Sequence, residues 1–236
     1  MMSATSSSTI RARLSFAALA SLVSCSTVDP KAPLAAFPAE HATHWSASLK
    51  AEAVKDYARA QENMNYYKLA GGDAYLGSLR TGWLHYLLGD FAKAEKAYTA
   101  AAELQPSSMT ALVGRMNAAL ALKDLGKTEH AAAAVLRAEP SNYKAQMVLA
   151  GLYFAQKDYL RSALVYRSLL KHYPDDMEVR SGVAWTTFYL GDKTAAAKQF
   201  HLILSHNPSY PLAQKGLELC LGKKDASRST ANQTQG

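Results

Sequence analysis

Cysteine is scarce in this 236-residue chain. Cys25 and Cys220 are the only two, too few for a disulfide framework or a cysteine-rich zinc site. Acidic residues are missing from Met1 to Val28, the first being Asp29. The longest apolar run, Leu14 to Val23, is about half the ~20 residues that a bilayer-crossing helix needs. No run alternates apolar and polar residues with a period of two, so nothing in the pattern favours strands. Charged residues make up 19% and hydrophobic residues 49%. That balance excludes a wholly disordered chain and allows one sizeable core or a row of smaller ones. The net charge of +7 is a moderate excess. Outside the tail residues Lys223, Lys224 and Arg228, basic residues alternate with Asp and Glu, so no nucleic-acid partner is expected.

The constellations of catalysis are missing as well. His41, His44, His85, His130, His172, His201 and His206 form no His-Glu-x-x-His pair, and His41-x-x-His44 has no further ligands nearby in sequence. No metal site and no cofactor is expected. Gly71-Gly72 reads as a helix break rather than a phosphate loop. Cys220 lies among Leu217, Leu219 and Leu221, the setting of a buried, inert thiol. With no nucleophile–base pair in sight, neither an enzyme nor a small-molecule substrate is expected.

Arg11 and Arg13 precede the apolar run, which ends in Leu22-Val23-Ser24-Cys25. Residues 1–24 therefore have the charge, length and flanks of a signal peptide. The four terminal residues resemble the bacterial lipobox, in which small residues fit the peptidase cleft and the cysteine thiol takes the lipid. That resemblance implies acylation of Cys25, a lipid anchor in the membrane and an outer-membrane lipoprotein of the bacterial cell envelope facing the periplasm. The absence of Asp after the cysteine, where Ser26 stands, favours the outer membrane by the same analogy. Loss of residues 1–24 removes two arginines and leaves a charge of +5. An Arg- and Ser-bearing, acid-free start also fits an organellar transit peptide, and that alternative stays open. Pro30, Pro33 and Pro38 make 25–40 a flexible tether.

The middle of the chain repeats. Pro106, Pro140, Pro174 and Pro208 are each 34 residues apart. A fixed period of that size marks a solenoid. Ser107, Ser141, Asp175 and Ser209 follow the prolines as helix caps, and Gly72-Asp73 is the same stop-and-restart one period earlier. Gly89-Asp90 and Gly191-Asp192 sit mid-period, with Lys157-Asp158 in the same register. Each glycine ends one helix and each Asp starts the next. Small residues Gly82, Ala150 and Ala184 recur on the first helix. Ala94, Ser162 and Ala196 recur on the second, each with Tyr98, Tyr166 or Phe200 four residues later. Large-into-small packing locks such pairs together.

These residues resemble the tetratricopeptide repeat family. Residues 75–108, 143–176 and 177–210 match its motif well. Residues 109–142 depart from it: Met116 stands at the small place, Ala132 at the aromatic one, and Gly126 falls three residues late. A longer first helix and a shorter second are expected there. The expected organisation is an N-terminal helical segment or degenerate repeat at 41–72, a solenoid with a capping helix at 73–221, and a disordered tail at 222–236. The fold class this resemblance implies is all-α, a right-handed superhelical α-solenoid of antiparallel helix pairs.

The resemblance also implies a groove, lined by the second, fifth, ninth, twelfth and thirteenth places of each first helix. Carried onto this sequence, the partner-binding groove holds Leu79, Trp83, Tyr86, Asn117, Met147, Phe154, Trp185, Phe188 and Tyr189. Trp83 and Trp185 are three periods apart, so two aromatic clusters are expected in one curved groove. The lining lacks the repeated Lys and Asn with which family members clamp a terminal carboxylate. The resemblance thus implies a non-catalytic adaptor or scaffold that binds a peptide or helix segment of another protein and assists envelope assembly. The alternatives are a soluble or organellar scaffold without lipid, and an envelope enzyme.

Overall fold

The computed structural model describes residues 39–222. Segment 1–24, Cys25, the tether as far as Pro38 and the tail from Lys223 lie outside them. Among the described residues there are eleven α-helices and no strand. The first pair is α1 (Ala39–Ala53) and α2 (Tyr57–Leu69), the second α3 (Ala74–Leu87) and α4 (Phe91–Leu104). The third is α5 (Met109–Ala121) and α6 (Leu125–Ala138), the fourth α7 (Tyr143–Ala155) and α8 (Tyr159–His172). The fifth is α9 (Met177–Tyr189) and α10 (Lys193–His206), and α11 (Pro211–Cys220) closes the stack alone. Helix α1 begins two residues inside the span read as tether. Close contacts join only helices one or two places apart in chain order, which is the nearest-neighbour logic of a solenoid.

One corner joins the helices of every pair. Lys55, Gly89, Lys123, Lys157 and Gly191 all have positive φ, between 56° and 100°. Asp56, Asp90, Asp124, Asp158 and Asp192 follow them. Each carboxylate accepts the backbone N–H three residues on and so starts the second helix. A cap of this kind contributes about 1 kcal/mol. The left-handed backbone costs a non-glycine residue about 1–2 kcal/mol. The cap alone therefore does not offset a lysine there; packing of the pair must make up the rest.

Two local expectations give way. Helices α5 and α6 have 13 and 14 residues, the same as α7 and α8. Their corner is Lys123-Asp124, and Gly126 is simply the second residue of α6. The caps of the first helices also fall one residue later than read. Ser108, Asn142 and Asp176 accept the first N–H bonds, not Ser107, Ser141 and Asp175, and Tyr210 precedes α11 without a side-chain cap. The reason is a β-turn between pairs, closed by bonds such as Ser108 N–H to Gln105 C=O at 3.0 Å. Pro106 and Ser107 fill its two central places, so the helix starts one step further on.

The core is a ladder of equivalent places. Ala60, Ala94, Thr128, Ser162 and Ala196 on the second helices are all inaccessible to solvent or nearly so. Ser162 keeps its hydroxyl satisfied there by donating to the Ala150 carbonyl at 2.8 Å. Tyr98 lies between Gly82 on its own pair and Gly114 on the next: a Cβ at Gly114 would fall 2.4 Å from its ring. Tyr166 meets Gly182 and Phe200 meets Gly216 in the same way. The aromatic rings thus key each pair to the helix that follows.

Candidate functional site

The first helices form one wall of the solenoid: α3 touches α5, α7 touches α9 and α9 touches α11, while α5 and α7 stand further apart. Two hollows open along this wall. The larger, about 730 Å³, is lined by Phe154, Ser181, Trp185 and Tyr189 and, from α11, by Leu212, Lys215 and Leu219. The smaller, about 430 Å³, lies between α5 and α7 and is lined by Leu120, Met147, Gly151 and Leu152, with Lys123 and Lys144 beside them. Tyr166 and Glu178 border both, so the hollows adjoin as one trough.

The nine groove residues expected from the sequence separate into four settings. Phe154, Trp185 and Tyr189 line the larger hollow and Met147 the smaller. Leu79 and Tyr86 pack against the buried Ala94–Tyr98–Ala118 cluster, and Phe188 packs against the cluster around Phe200. Trp83 is 43% exposed, but its indole N–H donates to Glu52 Oε1 at 2.7 Å and its ring stacks on Tyr86 with centroids 6.4 Å apart. Asn117 is half-buried on α5 and borders neither hollow. Cys25 lies outside the described residues.

The trough contains residues that the sequence pattern did not single out. Leu212, Lys215 and Leu219 stand 34 residues after Glu178, Ser181 and Trp185. The same step that placed the earlier helices would have extended the lining onto α11. Tyr166, expected as a packing residue alone, is also the wall between the hollows.

Ring contacts make the larger hollow stiff. Tyr159 stacks on Tyr189 at 4.6 Å, Phe154 meets Tyr189 edge-on at 5.5 Å, and Trp185 meets the buried Phe200 edge-on at 5.2 Å. Fixed aromatic faces of this kind bury large apolar area while losing little side-chain entropy. Two phenols at the trough hold their protons above the ordinary range. Burial raises Tyr166, with Glu178 adding to it. Burial also raises Tyr143, which donates to Asp176 Oδ2 at 2.7 Å. Lys123, Lys144 and Lys215 form no ion pair among the described residues.

Other candidate groups stand apart. No three His, Cys, Asp or Glu side chains gather as a metal-binding group among the described residues. His41 lies edge-on to Tyr67 and His44 stacks on Tyr66, so each is engaged with a different ring. Cys220 is a half-buried free thiol whose pKa is pushed up by burial, the opposite of a reactive thiolate. No helix among the described residues is long and apolar enough to cross a membrane.

Comparison with known proteins agrees with this architecture. Two family models, both described as tetratricopeptide repeat, match residues 116–177 and 78–108. A tetratricopeptide repeat protein from Parabacteroides merdae ATCC 43184 is 18% identical, with 82% of this chain and 77% of that one covered and a TM-score of 0.71. MamA from Desulfovibrio magneticus RS-1, from residue 41 onward, is 15% identical, with 72% and 97% covered and a TM-score of 0.64. YrrB, described as a TPR protein with an unusual peptide-binding site, is 17% identical, with 69% and 80% covered and a TM-score of 0.56. At these identities the likeness is one of fold. No curated protein matches the chain.

Proposed function

On the premise that this chain is built of tetratricopeptide repeats, we propose that it is a non-catalytic adaptor that holds a segment of another protein in the trough on α7, α9 and α11. One observation carries the reading. A hollow of about 730 Å³ is walled by rigid aromatic side chains, and one of them, Tyr189, remains 46% exposed among the described residues although Tyr159 and Phe154 brace its ring. Exposed aromatic surface that is concave and pre-formed is the usual form of a binding site. The occurrence of a peptide-binding site in YrrB, on the same fold, supports the reading in kind.

We further propose that the adaptor is tethered through Cys25 to the outer membrane and works at the periplasmic side in envelope assembly. The support is the Leu22-Val23-Ser24-Cys25 sequence behind two arginines. Both parts can be tested in the native cell. A photo-crosslinking amino acid at position 189 is expected to trap a second polypeptide, and one at Leu164, a 61% exposed position on α8, is not. Equal crosslinking at both positions removes the trough from consideration. Labelled palmitate is expected to enter the wild type and not Cys25→Ser. Label retained by the serine variant, or none in either, leaves a scaffold without this anchor.

A further inference from the structure

Gly151 has no architectural reason to be glycine. Glycine in the interior of a helix weakens it, so a helical glycine ordinarily makes room for something. Four others in this chain do: Gly82 and Gly114 face Tyr98, Gly182 faces Tyr166 and Gly216 faces Phe200, whereas a Cβ at Gly77 would meet Tyr67 and Lys68 only at ordinary contact distance. Gly126 lies in the first turn of α6, where the requirement is weaker. Gly151 is the ninth residue of α7, and a Cβ there would meet nothing within 4 Å. In the 34-residue register its equivalents are Trp83, Asn117, Trp185 and Leu219, all with substantial side chains. The room that a side chain would occupy is instead part of the smaller hollow.

The charges around that space have one predominant sign. Lys123 and Lys144 border the smaller hollow and Lys215 the larger, against the single carboxylate of Glu178 between them. The three lysines have no ion-pair partner among the described residues. Helices in contact lie about 8–10 Å apart, and a segment in the polyproline-II conformation advances about 3.1 Å per residue with three residues per turn. Two side chains three residues apart in such a segment share one face about 9 Å apart, so they would reach the two hollows.

We infer that the occupant of the trough is an acidic peptide segment carrying two large apolar side chains about three residues apart, one of which is seated over Gly151 and the other among Phe154, Trp185 and Tyr189. This rests on the adaptor reading above and makes it specific. The apolar anchors supply the buried area, and the lysines complement carboxylates along the segment rather than at its end. The polar C-terminal tail of the chain itself, residues 223–236, has no large apolar residue and three basic ones, so it does not fit the description.

The test is selection of displayed random 12-residue peptides on the purified protein, followed by affinity measurement with a recovered peptide. The peptides are expected to be net negative and to share two large apolar residues at the stated spacing. Gly151→Leu should weaken binding at least 100-fold with the helical spectrum unchanged. Gly151→Ala should weaken it about tenfold while raising Tm by about 2 °C, because alanine is the better helix former. Lys144→Glu with Lys215→Glu should weaken it at least tenfold. Neutral or basic peptides, or full affinity in Gly151→Leu, overturn the inference. If Tyr189→Ser abolishes that binding while Gly151→Leu does not, the trough reading survives and this inference alone fails. If no peptide binds, or neither variant has an effect, both fail.

Discussion

Met116 and Ala132 share one buried cluster with their sizes exchanged: the large side chain is on the first helix of the pair and the small one on the second. In the pair before, Gly82 and Tyr98 have the opposite arrangement. The exchange extends to the following helix. Where Tyr98, Tyr166 and Phe200 each meet a glycine, Ala132 is followed by Val148, which packs against the same cluster. Volume is conserved across three helices although no single place conserves its residue.

Restoring one place alone should therefore fail. Ala132→Tyr is expected to destabilise the protein by about 1–3 kcal/mol through overpacking. Combining it with Met116→Gly and Val148→Gly should recover most of that loss, read as a coupling free energy in urea unfolding. Additive losses in the triple variant would show that the three places are independent.

The period was legible because the inter-pair turn needs a residue of fixed φ, and proline marks it at 106, 140, 174 and 208. The five-fold aspartate ladder is the steadier signal of the corners, since each demands a cap, as at Asp124, more strictly than it demands a glycine before it. The compensation at Met116 could not be seen one position at a time, since the departure makes sense only when α5, α6 and α7 are in place. The same applies to the groove. Leu79, Tyr86 and Phe188 occupy inward places by register, yet neighbouring buried clusters engage them. The openness at Gly151 arises from the separation of α5 and α7, which no local pattern encodes.

The lysine corners give a second expectation. Lys55 and Lys157 sit at φ of 61° and 63°, where glycine is free of strain. The left-handed cost of about 1–2 kcal/mol would be removed by glycine, against about 0.4–1 kcal/mol for its greater freedom when unfolded. Lys157→Gly should accordingly leave a net gain of about 0.5 kcal/mol, seen as a rise in melting temperature, with Lys55→Gly acting similarly. A fall in either variant would mean that the lysine stem packs on the corner and matters more than the backbone.

Stability should also decline at high pH. Burial pushes the Tyr98 phenol up to about 12, and Tyr166 is raised for the same reason. Between about pH 10 and 12 the unfolded chain has lost these protons and the folded chain still holds them. The folded state then binds more protons than the unfolded one, so stability is complete below about pH 10 and is lost as pH rises through this window. Phenolate absorbance should appear together with loss of helical circular dichroism. Tyr98→Phe should make stability fall less steeply between about pH 10 and 12. Ionisation of all tyrosines near pH 10 with the fold intact would contradict the burial described here.

The last expectation concerns how α1 is held to α3. Glu52 on α1 meets α3 with both carboxylate oxygens: one lies 2.8 Å from Arg80 Nη2 as an ion pair, and the other accepts from Trp83 Nε1 at 2.7 Å. The Arg80 side chain is only 9% exposed, also reaches Ser48 Oγ with Nε at 3.0 Å, and lies 5.4 Å over the Trp45 ring. Removing the carboxylate leaves a largely buried guanidinium without its counter-charge, which is costlier than the net worth of the pair itself. Glu52→Ala should cost about 2–3 kcal/mol. Glu52→Gln, which keeps an acceptor for Trp83, should cost less. Because contacts run only between near neighbours, the loss should concentrate in the first pair. Hydrogen exchange is expected to quicken in α1 and α2 while α7 to α10 keep their protection. Uniform quickening along the whole stack would mean that the solenoid unfolds as a single cooperative unit and that the first pair has no independence to lose.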